Sequence, residues 1–157
     1  MKAAKRLATL ALLCAAACSR GPTPAAALDP KNDACANCRM AVSDVHFAAQ
    51  LVAPREEPRF FDDLGCLRDY LAANPQRPQG TLAYVADHRT GEWVLATSAV
   101  YSQGPAIEAP MGSHLMAHAT FASREQDPAA RGTQVRRTEE LFGQVALPGA
   151  LTPQEKR

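Results

Sequence analysis

The hexapeptide Cys35-Ala36-Asn37-Cys38-Arg39-Met40 places two thiols and a thioether close together in the chain. Cys35 and Cys38 can converge across one turn, and Cys38 and Met40, if extended, project from one face about 7 Å apart. Thiolate plus thioether is a soft donor set that favours Cu(I) over Mg2+, Ca2+ or Mn2+. Zinc prefers two Cys pairs or histidines at finger-like spacing, and no second CxxC exists here. Two other readings stay open on this motif alone: a Cys35–Cys38 disulfide or redox pair in an oxidising compartment, and Met40 as a packing residue.

Further donors lie downstream. Pro110-Met111-Gly112-Ser113-His114 sets a Met in a turn, where packing rarely demands a flexible thioether. Residues 113–121 (SHLMAHATF) alternate, with Leu115, Ala117, Ala119 and Phe121 on one face and His114, Met116 and His118 on the other. The latter three are additional metal-ligand candidates. His46 and His88 fall in turn or strand-start contexts and read as solvated. Cys66 opens an expected helix, a position that lowers thiol pKa values; a buried structural role is the preferred reading.

These residues sit behind an export address. Lys2, Lys5 and Arg6 precede an apolar run over 7–17 that is too short to span a bilayer as a mature helix. Ala15, Ala16 and Ala17 before Cys18 resemble a lipobox, which makes residues 1–17 a lipoprotein signal peptide and Cys18 the lipidated N-terminus. Ser19 resembles the residue that follows the Cys in lipoproteins sent to the outer membrane. Residues 18–33, rich in Pro and lacking a periodic apolar pattern, read as a flexible tether. With Cys18 acylated and Cys14 removed, three of the five Cys remain as thiols, an odd number that leaves at least one unpaired in a monomer.

The chain has 157 residues, 46% apolar and 21% charged, enough for one domain with a packed core. Lys plus Arg number 17 against 16 Asp plus Glu, and the signal removes three of the basic ones, so the remaining chain has a formal charge of −2. No basic field for nucleic acid exists.

The elements that must position the sulfur follow from patterning. Residues 46–53 read as a half-buried strand with Phe47, Ala49, Leu51 and Ala53 on one face, and 59–61 as a short return strand. Asp62 or Asp63 caps a helix with Leu64, Leu67 and Leu71 at helical spacing, ended by Asn74-Pro75. Residues 81–86 and 92–96 read as strands around a turn at 87–91. Ser123 with Gln126 forms a capping box for a short helix, and 138–142 adds one helical turn. The domain spans 34–145, and 146–157 is a polar C-terminal tail. Strand and helix units without long βαβ alternation give an α+β fold.

The ordered succession CANCRM, VSDVHFAAQLV, FFDDLGCLRDYL and APMGSHLMAHATF resembles the NosL family, the copper-chaperone lipoproteins of nitrous oxide reductase assembly. The resemblance covers about residues 33–132. It implies two small ββαβ units, similar to the organomercurial lyase fold, and a periplasm-facing, membrane-tethered protein, not an enzyme. Such a protein passes Cu(I) by ligand exchange to nitrous oxide reductase and its membrane maturation machinery. Carried over by residue, the family's metal motif falls on Cys35, Cys38 and Met40 and its P-M-G-S methionine on Met111. Cys38, Met40 and Met111 are then the nearest ligands and Cys35 the next. Arg39 departs from the small residue common at its position, and His118 from an expected aromatic. The alternative is a thiol-disulfide oxidoreductase or disulfide-stabilised binding lipoprotein using Cys35 and Cys38. A lyase built from Cys38, Cys66 and Asp62 would rest on fold likeness alone.

Overall fold

The computed structural model describes residues 22–142 and 147–148, so the signal region with Cys18, and most of the expected tail, lie outside the described residues. Asp63 organises the first half. Its backbone is extended, its side chain accepts from the Cys66 N–H, and helix α1 (Leu64–Ala73) follows with Leu64, Leu67 and Leu71 buried. Asn74 closes the helix before Pro75.

Around α1 lie β1 (Ala49–Val52), β2 (Arg59–Phe61), β3 (Leu82–Ala86) and β4 (Trp93–Leu95), paired antiparallel in the order β2-β1-β3-β4. The second half contains β5 (Val100–Gln103), β6 (Leu115–His118), helix α2 (Phe121–Gln126), a 3-10 turn at Pro128–Ala130, β7 (Gln134–Arg136) and helix α3 (Thr138–Phe142). Its sheet order is β6-β5-β7. In each half the first strand is central, pairing with the strand that follows it and with the strand after the helix. Two ββαβ units therefore make up this α+β fold, with β4 as an added edge. The largest core joins them: Leu51, Phe61, Leu67 and Val85 cluster with Tyr101, Leu115, Ala117 and Phe142. No helix among the described residues is long and apolar enough to cross a membrane.

Several expectations need correction. The first strand starts at Ala49, because Asp44 folds residues 44–47 into a turn by accepting from the His46 N–H through its carboxylate and from the Phe47 N–H through its carbonyl. All four β1 residues are buried, so the strand is covered on both faces. The cover is part of the expected tether. Gln50, fully buried, holds Ala26 by accepting from its N–H (2.8 Å) and donating to its carbonyl (3.1 Å). The Tyr84 hydroxyl donates to the Thr23 carbonyl, and Ala26 and Leu28 pack on Val42, Ala48 and Phe60. At the other end Leu147 is buried in the main core, although it falls in the segment expected as a polar tail.

Strands β5 and β7 have no counterpart in the pattern reading, since each is short and Val135, the one apolar residue of β7, is half exposed. The expected alternation over 113–121 holds only for Leu115–His118. Thr120, not Ser123, caps α2 by accepting from the Ser123 N–H, and Phe121 leaves the strand for the exposed first position of that helix.

Candidate metal centre

The hexapeptide at 35–40 is a tight loop, not the extended run that would set Cys38 and Met40 on one face. Ala34 and Ala41 bridge its base, the Cys35 N–H donates to the Met40 carbonyl, and the Arg39 N–H donates to the Cys35 carbonyl. Arg39 itself is left-handed, at φ 70°. That geometry favours glycine and explains why a small residue suits this position. The loop is fastened to β2 by the Ala36 N–H donating to the Phe60 carbonyl.

This fastening brings the loop to the start of α1. The sulfurs of Cys35, Cys38 and Cys66 all lie within 4.8 Å of one another, and all three residues are free cysteines. Cys66, expected as a core residue, is indeed buried, yet it also belongs to this cluster. Cys35 is buried as well, while Cys38 is partly exposed and gives solvent access.

The three thiols differ electrostatically. Burial works against a thiolate at Cys35, but N–H groups of Cys38, Asp62 and Asn37, together with the Cys38 thiol, outweigh it and leave this thiol below its ordinary value. Burial pushes Cys38 up, and its proximity to Cys35 adds to the rise. Burial also pushes Cys66 far up, reinforced by the neighbouring Cys35, Asp63 and Cys38. The first negative charge thus falls on Cys35, and a bound cation would displace protons from the others.

Asp63 ties the remaining sulfur loop to this cluster. One carboxylate oxygen accepts from the Cys66 N–H at 2.9 Å, and the other accepts from the N–H groups of Met111 at 3.2 Å and Ser113 at 3.4 Å. Gly112 turns that loop at φ 68°, as only glycine does without strain. Met40 and Met111 are 58% and 43% exposed, unusual for methionine. Asp62 has a scaffolding role: its carboxylate accepts from the backbone and hydroxyl of Ser43.

The other candidates are not brought to the thiol cluster. His114 is exposed, left-handed at φ 57°, with Nδ1 on the Ile107 carbonyl at 3.0 Å. Met116 is buried among Phe47, Ile107, Ala109 and Ala130, so its thioether is packed in a second core. His118 is fully buried and bonded to Asp127. His88, expected as solvated, meets the same carboxylate. Sequence spacing held no signal for this pair, because His88 and Asp127 come from different units.

A family model described as NosL matches residues 26–145, most of the chain. The chain belongs to the NosL family. The match begins at Ala26, the residue that Gln50 fixes to the sheet, so the docked residues Ala26 and Leu28 lie within the matched region. Among solved structures the chain is similar to the crystal structure of the copper chaperone NosL from Shewanella denitrificans, at a TM-score of 0.57 and 19% identity, over 76% of this chain and 96% of that one. At that identity the likeness establishes a shared NosL fold. No curated protein matches the chain.

Proposed function

We propose that this NosL-family chain is a Cu(I) metallochaperone whose cargo is held by the thiols of Cys35, Cys38 and Cys66 with the thioethers of Met40 and Met111. The observation that carries the reading is the convergence of three cysteine sulfurs within 4.8 Å beside a methionine loop fastened to the same helix cap. This donor set is soft throughout, as Cu(I) requires. Cys38, Met40 and Met111 form the exchanging side, because they are the more exposed members, while Cys35 and Cys66 anchor the metal from the core. Transfer proceeds by ligand exchange: an incoming Cys, Met or His adds before an outgoing thioether leaves, and no general acid or base takes part. On this reading the chain is not an enzyme.

The chain acts from the periplasmic side as a lipoprotein acylated at Cys18, in the outer membrane, and delivers copper to nitrous oxide reductase and its membrane maturation machinery. Competition of the reduced protein against a Cu(I) chelator tests the site. Tight 1:1 binding that falls by at least about tenfold in Met40→Ala/Met111→Ala is expected. Micromolar or weaker binding, or binding indifferent to those substitutions, would overturn it. Isolation of the protein with a Cys35–Cys38 disulfide that cellular reductants leave intact would favour a redox or disulfide-stabilised role.

A further inference from the structure

We propose that His88, His118 and Asp127 form a second metal site, for a borderline divalent cation such as Zn2+, at the seam between the two ββαβ units. Their ligand atoms all lie within 4.8 Å of one another. His88 Nδ1 is 2.6 Å and His118 Nε2 2.9 Å from the same Oδ2 of Asp127. Zinc at about 2.0–2.1 Å from each donor would set the donors about 3.3 Å apart, so each contact opens by less than 1 Å. Hydrogen bonds of this kind are what such a triad makes when protons stand in for the cation.

The donors are held in place from outside. Asp127 Oδ1 accepts from the Ala129 N–H at 2.9 Å, which fixes the carboxylate. Phe47 packs edge-on against the His88 ring at a centroid distance of 4.7 Å. The His88 N–H donates to the Ala117 carbonyl, and the Asp87 carboxylate accepts from the Ala119 N–H, pinning the turn to the end of β6. These contacts hold the turn that carries His88 and the carboxylate of Asp127. His118 is fully buried and its Nδ1 has no partner among the described residues, so there the ring's polar anchorage runs through the proposed site. The His88 side chain, 17% exposed, gives the cluster its access to solvent.

Imidazole and carboxylate take Zn2+, Co2+, Ni2+ or Cu2+, whereas the thiols of Cys35, Cys38 and Cys66 take Cu(I) and can hold Zn2+ as well. Only the sulfur cluster therefore suits Cu(I), and the Cys35→Ser and Cys38→Ser background separates the two sites for Zn2+. His88 follows β3 in the first unit, whereas His118 ends β6 and Asp127 follows α2 in the second. A cation here cross-links the units and stabilises the folded chain by mass action.

The test uses the chain with Cys35→Ser and Cys38→Ser, titrated with Co2+ and separately with Zn2+. One equivalent of Co2+ bound with d–d bands but no sulfur-to-cobalt charge transfer is expected, together with a Zn2+-dependent rise in melting temperature. His88→Ala, at the partly exposed donor, should weaken binding by roughly tenfold or more and remove that rise. In the unsubstituted chain, Zn2+ should shift the 15N resonance of His118 Nε2. Absence of binding, charge transfer from sulfur in the bound form, indifference to His88→Ala, or an unmoved Nε2 resonance would each overturn the site and leave a hydrogen-bonded strut.

Discussion

A Cβ added at Gly65 would stand 2.8 Å from the Ser113 Cβ and 3.3 Å from Asp63 Oδ1. The first turn of α1 and the Met111 loop approach each other at this point more closely than any side chain allows. Gly65→Ala is expected to push the loop off the helix cap, at a cost of about 1–3 kcal/mol in stability. Cu(I) affinity should fall with it, because Met111 moves with the loop. Denaturant unfolding and chelator competition measure the two effects; a substitution silent in both would mean that the loop is free to shift.

Asp63 divides its two oxygens between the Cys66 N–H and the Met111–Ser113 backbone. Asp63→Asn retains a single acceptor oxygen, so one of those two duties is lost. Since the cap nucleates the helix, the amide keeps it, and the loop is released. Faster amide exchange at Met111 and Ser113, with exchange along α1 unchanged, is the expected pattern. Asp63→Ala loses both and should cost about 2–4 kcal/mol.

The left-handed Arg39 lies between Cys38 and Met40. Relief of that conformation by Arg39→Gly should stabilise the fold by about 1 kcal/mol, since an L-residue there carries a penalty of about 1–2 kcal/mol that glycine escapes, less glycine's greater freedom when unfolded. The thiol cluster should keep its Cu(I) stoichiometry. A midpoint shift in denaturant of the opposite sign would show that the Arg39 side chain contributes more than its backbone costs.

Alkaline pH should act on the docked N-terminal segment. Burial raises the Tyr84 phenol above its ordinary value, and its hydroxyl donates to the Thr23 carbonyl. A raised folded-state pKa means that the stability is fully present below the unfolded value near 10 and is lost as pH rises through the folded value. Tyr101 is raised by burial too, so two of the three tyrosines should ionise late in a spectrophotometric titration. Above that range, exchange at Ala26 should accelerate. Tyr84→Phe should cost about 1 kcal/mol and remove the alkaline step at Ala26.

Local chemistry made the hexapeptide, the capped helix at Asp63 and the Pro-Met-Gly-Ser turn legible in the sequence. Caps, glycine turns and the 3.6-residue spacing of Leu64, Leu67 and Leu71 depend on neighbours in the chain. The soft character of the site was legible for the same reason, as it follows from residue type. Strands β5 and β7 were not, because three or four residues with one exposed apolar side chain carry no period. The docking of Ala26 was equally hidden, because a fully buried Gln50 reads in sequence as a solvated residue.

What the sequence by itself determined is the inventory of donors: thiols and thioethers in two short motifs, histidines and carboxylates scattered elsewhere. Which of them meet was decided only by tertiary structure. Cys66 joins Cys35 and Cys38 because a parallel bridge to Phe60 lays their loop across the start of α1. His88 meets His118 and Asp127 because burial of one shared core presses the two ββαβ units together. Ligand convergence is set by such long-range packing, whose driving force is area removed from water and leaves no mark in the spacing of the residues it joins.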